Sequence, residues 1–122
     1  MPHLITTENQ RSLTTQAKIE LLLLSLSVPP HLKGFRYLAR AIALVLEDET
    51  CLQNVMVQLY GQIAEEFDVT GGSVERDART ALRQVPPELC CEVLNAACYR
   101  GNKPVTVRIF VSLCVIKLRY SN

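Results

Sequence analysis

The sequence predicts an all-α fold of about six helices built around a helix-turn-helix. Leu and Ala dominate the apolar residues in the first three-quarters of the chain, and both favour helices. Apolar residues recur at helical spacing in several segments. Pro-Pro pairs at 29–30 and 86–87 interrupt these segments, as expected where helices end. The 122 residues are expected to form a single domain over 1–122, with 1–11 as a flexible N-terminal segment.

Three helices are expected before the helix-turn-helix. The first runs from about Ser12, a candidate N-cap, to Ser27, because Val28-Pro29-Pro30 stops it. The second covers Lys33 to Glu47, where apolar residues share one face. An acidic break follows at 47–50, and as an exposed run of charge it requires no function. Residues 51–59 are expected to form a third, short helix.

The pattern of residues from Phe67 to Val85 predicts a turn followed by the second helix of a helix-turn-helix. This second helix, the recognition helix, is expected over about 72–85. One face of this helix is apolar and lies within about 100°; it comprises Val74, Ala78, Ala81, Leu82 and Val85. The nearly opposite face carries Arg76, Arg79 and Arg83. The preceding stretch, 60–67, supplies the first helix. Arginines at this spacing also occur on helices whose charged face is only solvated.

The last third of the chain is expected to hold two more helices. Val85-Pro86-Pro87 stops the recognition helix, residues 88–99 form another helix, and residues 100–104 form a loop. Residues 105–116 alternate apolar and other residues and are rich in β-branched side chains, which is typical of a strand. A lone strand has no partner in an otherwise helical chain, so a buried helix is expected there.

Charge is distributed unevenly although the net charge is only +1. Residues 1–68 carry 5 Lys and Arg against 8 Asp and Glu, whereas residues 69–122 carry 8 against 4. The basic half begins at the expected recognition helix, as a surface that faces phosphates would require. Neither a phosphate-binding Gly-rich loop nor a Cys/His nucleophile arrangement is present in the sequence, so an enzyme is not expected.

The five cysteines are Cys51, Cys90, Cys91, Cys98 and Cys114. Their number is odd and no secretion signal precedes them, so a disulfide framework is not expected and they are interpreted as reduced, mostly buried residues. Their spacing lacks a ligand pattern, so no metal is expected. The apolar run 21–28 is too short to span a bilayer. We therefore expect a soluble, cytoplasmic protein that needs no cofactor, membrane or small-molecule ligand.

Several blocks of the sequence together resemble one family. The stretch Val28–Ile42 reads VPPHLKGFRYLARAI and resembles a signature of hydrophobic-Pro-x-His-hydrophobic-Lys-Gly-aromatic-x-Tyr-Leu-x-x-Ala-Ile. That family is the C-terminal effector domain of the stage-zero sporulation response regulator. The similarity continues through Leu59-Tyr60, Ile63–Phe67, Val74-Glu75-Arg76 and Arg79, and returns at 100–104 and 117–119.

The resemblance implies an all-helical domain of about six helices that binds short tandem boxes in the major groove of double-stranded DNA. It implies a homodimer or tandem dimer through the last helix, and transcriptional activation and repression in a spore-forming bacterium. The residues expected to contact DNA are Thr70, Gly72, Ser73, Glu75, Arg76, Arg79 and Arg83. Arg76 and Arg79 would reach base edges or phosphates, and Arg83 phosphate. Thr70 would cap the recognition helix.

Three departures from the family pattern bear on function. The family's regulator carries an N-terminal receiver domain for which 122 residues leave no room, so control by phosphorylation in cis is not expected. Ser73 stands where the family usually has an arginine that reads a guanine, and Asp77 stands where a small apolar residue is preferred. Gly71 and Gly72 either permit close backbone approach or loosen the turn. The alternative function is an interaction module that has lost DNA reading and pairs with or antagonises a full-length regulator.

Overall fold

The structure, a computed structural model, describes residues 14–120, in which six α-helices account for most of the chain. They are α1 Thr15–Ser25, α2 Lys33–Glu47, α3 Gly61–Phe67, α4 Gly71–Leu82, α5 Pro87–Leu94 and α6 Val107–Tyr120. A 3-10 turn, Glu49–Leu52, and a π-helix, Val55–Tyr60, connect α2 to α3. The strands β1 Tyr99–Arg100 and β2 Lys103–Pro104 form a small antiparallel hairpin before α6. The all-α prediction with about six helices is confirmed.

Helix α2 lies at the centre of the fold and contacts α1, α4 and α6. It is buried on most of its circumference because apolar residues occupy nearly every position outside its charged ones. Its fully buried Leu38 and Ile42 join side chains from every neighbouring helix in one core, including Ile63, Leu82 and Phe110. No charged or polar residue is buried among residues 14–120. Burial of this apolar surface is the main force that stabilises the fold.

Gly34 lets α2 and α4 approach one another closely. A Cβ at this position would lie 2.0 Å from the carbonyl oxygen of Asp77 and 2.7 Å from the Cβ of Ala81. Both of these neighbours belong to α4, so the contact holds the backbone of α4 against α2. The glycine in the Lys-Gly-aromatic block therefore has a packing role.

The first two helices begin and end at identifiable signals. Thr14 caps α1 by accepting a hydrogen bond from the backbone N–H of Ala17 at 3.1 Å. Helix α1 ends at Ser25, two residues earlier than predicted, because Ser27 adopts a left-handed conformation with φ 65°. The expected cap at Ser12 and the flexible segment 1–11 lie outside the described residues. Helix α2 has the predicted bounds, Lys33–Glu47.

Two predicted helices are wrong in part. Residues 51–59 do not form one regular helix, because they divide between the 3-10 turn and the π-helix, which Asn54 caps. The helix expected over 88–99 ends at Leu94, where left-handed Asn95 reverses the chain. The expected loop at 100–104 is instead part of the hairpin, closed through Gly101 at φ 62°. The helix expected over 105–116 is confirmed as α6.

The reversal after α5 also changes the interpretation of the cysteines. It brings Cys98 beside Cys90, with Cα atoms 5.8 Å apart, and the two form a disulfide. The expectation of reduced cysteines is therefore wrong for this pair, because the fold supplies a proximity that their spacing along the chain does not show. Cys51 and Cys114 are free and buried, and Cys91 is free and exposed. Burial raises the pKa of the Cys114 thiol far above its ordinary value, which keeps the thiol neutral.

No helix within residues 14–120 has both the length and the apolar character needed to cross a membrane. The same part of the chain contains no group of three or more His, Cys, Asp or Glu placed to hold a metal ion.

Candidate nucleic-acid interface

A three-residue turn joins α3 to α4. Asp68 adopts a left-handed conformation with φ 56°, and the N–H of Val69 donates to the carbonyl of Ala64 at 2.9 Å, which ends α3. Thr70 then caps α4, since its hydroxyl oxygen accepts from the N–H of Ser73 at 3.1 Å. The expected cap is present in the structure. This local geometry sets α4 at a defined angle after α3, as a helix-turn-helix requires.

The inner face of α4 is anchored in the core. Val74, Ala78, Ala81 and Leu82 are buried, and α4 contacts α2, α3 and α6. Residues 83–85 follow α4 as a turn. The helix expected over 72–85 is therefore Gly71–Leu82, which ends earlier than predicted. The fifth predicted anchor, Val85, is nevertheless buried. Because this face is held on several sides, the outer face keeps a fixed orientation.

The outer face of α4 presents the three predicted arginines to solvent. The side chain of Arg76 is 71% exposed and that of Arg79 is 49% exposed. Arg83, at the C-cap, is also exposed. The structure therefore brings Arg76, Arg79 and Arg83 together as one arginine face, opposite the anchored residues. A planar guanidinium can donate two hydrogen bonds to the O6 and N7 atoms of guanine, or bind phosphate.

Two acidic residues pair with the arginine face. Glu75 accepts a hydrogen bond from Arg79 at 2.5 Å, four residues along the helix. Asp77 lies 3.7 Å from Arg76. Exposed ion pairs of this kind stabilise a protein by only about 0–1 kcal/mol, so both arginines can leave their partners for a nucleic acid at low cost. The carboxylate of Glu75 that Arg79 releases can then accept a hydrogen bond from the N4 amino group of cytosine.

The first turn of α4 combines a constrained serine with an open glycine. The hydroxyl of Thr70 donates to the Oγ of Ser73 at 3.0 Å, which ties the Ser73 side chain to the cap. At Gly72 a Cβ would meet no atom within 4 Å. Gly71 and Gly72 both lie within the helix, so they do not extend the turn. The space beside Gly72 allows a DNA strand to approach the backbone.

The hairpin and the first turn of α6 add two cations that were not predicted as site residues from the sequence. The hydroxyl of Tyr99 in β1 donates a hydrogen bond to the carbonyl of Val85 at 2.9 Å, which fixes the hairpin beside the C-terminal end of α4. Lys103 of β2 and Arg108 of α6 line a cleft of about 520 Å³ together with Arg79 and Arg83. The positive charge of residues 69–122 was the signal in the sequence, but it did not show which cations come together.

Tyr60 lies in the floor of the same cleft and is almost completely buried. Burial is the main cause that raises its pKa to about 12, and the nearby carboxylate of Glu75 raises it further. The Tyr60 hydroxyl is therefore neutral at physiological pH. It does not contribute a negative charge that would repel a phosphate.

A comparison with known protein families agrees with this geometry. The family model described as the sporulation initiation factor Spo0A C terminal matches residues 19–109. The matched region includes the helix-turn-helix, the hairpin and the first residues of α6, and it covers well over half of the chain. Proteins of this family are DNA-binding transcription factors of sporulation. The chain therefore belongs to the family of the C-terminal domain of the sporulation initiation factor Spo0A.

Proposed function

We propose that this protein is a sequence-specific transcriptional regulator that reads the major groove of double-stranded DNA with α4. The observation that carries the proposal is the arginine face, Arg76, Arg79 and Arg83, on a helix whose opposite face is anchored in the core. The helix follows a three-residue turn, so its N-terminal half is available to enter a groove. As a DNA-binding regulator the protein would act beside the chromosome in the cytoplasm.

The arginines have different roles in this proposal. Arg76 lies in the N-terminal half of α4 and its side chain is more exposed than that of Arg79, so it contacts a base edge. Arg79 exchanges its ion pair with Glu75 for a guanine or a phosphate. Arg83, at the C-terminal end, contacts phosphate. One good bidentate contact to a base contributes about 1–3 kcal/mol of discrimination.

Residues of the first turn of α4 complete the proposed site. Thr70 orders the N-terminal turn, whose free N–H groups and positive end of the helix dipole favour a phosphate. Gly72 gives that phosphate room to approach. Ser73 is a short side chain bonded to Thr70, so it cannot reach a base as the family's arginine does. We expect weaker sequence discrimination than in relatives with that arginine, and sharper discrimination in Ser73→Arg.

Selection of duplexes from a random 30-base-pair pool tests the proposal. Wild-type protein should enrich one motif, and Arg76→Ala should weaken binding to it by about 1–3 kcal/mol while relaxing preference at one base pair. Arg83→Ala should weaken binding to all duplexes and lower the salt slope by about one unit. Arg36→Ala is the matched control, because Arg36 lies on α2 in a separate cleft with Gln16 and Glu20 of α1. Equal effects of Arg76→Ala and Arg36→Ala would contradict the proposed role of α4.

The second candidate function is an interaction module without DNA reading. It is favoured by the exposed apolar residues on one side of α6, Ile109, Ile116 and Tyr120, which recur at helical spacing. In a DNA-binding protein the same face would form the homodimer or tandem dimer. Sedimentation equilibrium should show self-association that Ile116→Asp abolishes. If neither wild type nor Ser73→Arg binds any duplex at low salt, the interaction module replaces the DNA-binding proposal.

A further inference from the structure

A basic cleft opens beside the arginine face, between α4, the hairpin and the first turn of α6. Its volume is about 520 Å³. Its charged lining residues are four cations and one carboxylate: Arg79, Arg83, Lys103, Arg108 and Glu75. The formal charge of the lining is therefore +3, on a chain whose net charge is only +1. A concave surface with this excess of one sign concentrates anions.

Within residues 14–120, most of this positive charge has no carboxylate partner. Glu75 pairs with Arg79, but no carboxylate of residues 14–120 lies within 4.0 Å of the cationic groups of Arg83, Lys103 or Arg108. The three residues line the same cleft from the C-cap of α4, from β2 and from the first turn of α6. Cations brought together from separate elements repel one another unless an anion lies between them. An anion bound in the cleft would relieve this repulsion.

The elements that carry these cations are held in place. The hydroxyl of Tyr99 binds the carbonyl of Val85, and the N–H of Val105 donates to the carbonyl of Cys98 at 2.8 Å, which closes the base of the hairpin. Thr106 caps α6 by accepting from the N–H of Ile109 at 3.2 Å. Lys103 and Arg108 thus lie on anchored backbone next to the C-terminal end of α4. Because their backbone is already fixed, an anion that binds between them does not have to order the hairpin, which lowers the cost of binding.

We propose that this cleft binds a phosphodiester group of the DNA strand that borders the major groove occupied by α4, with Lys103 and Arg108 as the contacting residues. The inference rests on the proposed function. In a helix-turn-helix the N-terminal residues of the recognition helix face the bases, so its C-terminal end and the elements beside it lie near the backbone. Phosphate contacts fix the register of the protein on DNA without reading its sequence. Lys103 and Arg108 therefore supply affinity, whereas the base contacts of α4 supply specificity.

Salt-dependent binding of two 30-base-pair duplexes tests this inference. One duplex is the motif selected by the wild type, and the other is its shuffled sequence. Lys103→Ala and Arg108→Ala should each lower the salt slope by about one unit and weaken binding to both duplexes by roughly 5- to 10-fold at 0.1 M salt. The ratio between the two duplexes should not change. Lys18→Ala, an exposed lysine on α1 outside the cleft, is the matched control and should leave the slope unchanged.

The outcomes separate this inference from the proposed function. Suppose that the wild type selects a motif and that Arg76→Ala weakens binding to this motif. If Lys103→Ala and Arg108→Ala then keep the wild-type salt slope, only the cleft inference is overturned. A changed ratio between the duplexes would place these residues on bases and overturn it as well. Absence of duplex binding by the wild type overturns both proposals. Titration with inorganic phosphate, followed by the amide resonances of 103–108, then shows whether the cleft is a site for a free anion. Thermal unfolding of both variants confirms that they fold.

Discussion

Replacing Gly34 with alanine adds one methyl group where α2 meets α4. That Cβ would lie 2.0 Å from the carbonyl oxygen of Asp77, whereas real contacts of this kind are not closer than 3.0 Å. The obstacle is backbone, which cannot rotate away as a side chain can. The helices must therefore separate by about 1 Å, which loosens the close packing on which a protein interior depends. The same movement shifts the arginine face that α4 carries.

The magnitude follows from two opposing effects. Overpacking of a filled interior costs about 1–3 kcal/mol, and a backbone obstacle places Gly34→Ala at the upper end. Alanine regains about 0.5–1 kcal/mol because it loses less conformational freedom than glycine in a helix. We therefore expect Gly34→Ala to lower the free energy of unfolding by roughly 2 kcal/mol. The melting temperature should fall by roughly 6–10 °C for a domain of this size.

Gly72→Ala is the matched control for this prediction. It adds the same methyl group to a helix, but no atom lies within 4 Å of the new Cβ. The substitution should raise the free energy of unfolding by about 0.4–1 kcal/mol. Urea unfolding, followed by circular dichroism at 222 nm, measures the stability of both variants. If the dependence of the free energy of unfolding on urea concentration is unchanged, their midpoints can be compared directly. A Gly34→Ala variant as stable as the wild type would refute the close approach of α2 and α4.

Three further predictions concern the hairpin and two titrating groups. Tyr99→Phe removes the hydrogen bond to Val85, so it should destabilise the protein by about 1 kcal/mol and speed amide exchange in the hairpin, as measured by mass spectrometry. Arg40 binds Glu66 at 2.7 Å and 2.9 Å, and this hydrogen bonding lowers the pKa of Glu66 below its ordinary value. The stabilisation by this ion pair is present above the pKa of Glu66 in the unfolded chain and is lost as pH falls through its lowered pKa in the folded protein. Glu66→Gln should therefore lower stability at neutral pH by about 0.5–1 kcal/mol, but not in acid where Glu66 is protonated in the folded protein. Burial raises the pKa of Tyr60 in the folded protein to about 12. The stabilisation that the neutral hydroxyl provides is therefore present below about pH 10, the pKa of an unfolded tyrosine, and is lost as pH rises towards 12. In thermal unfolding, Tyr60→Phe should lack this alkaline loss of stability.

Local features of the chain were predictable from the sequence. Helix α2 has the bounds that its apolar spacing and its flanking residues indicate. The turn before α4, the cap at Thr70 and the arginine face also follow from residues that are close in sequence. For 105–116, the strand-like alternation was outweighed by the lack of a neighbouring strand, and α6 is a helix. Signals of this kind act within one or two helical turns, so a linear pattern contains them.

Helix ends were less predictable where a single backbone conformation decides them. Ser27 and Asn95 both adopt left-handed conformations that end α1 and α5. Neither residue is a glycine, so composition alone did not mark these positions as helix ends. The early end of α5 is what frees Tyr99 to enter the hairpin and places Cys98 beside Cys90.

By itself, the sequence determined the helical class, the helix-turn-helix and which arginines face away from the core, since these depend on spacing along one helix. Only the tertiary structure decided that Gly34 holds α2 against α4, that Cys90 pairs with Cys98, and that Lys103 and Arg108 lie beside the recognition helix. These contacts join residues from different elements. Their existence depends on how helices pack around a shared core, and no periodicity along the chain contains that information.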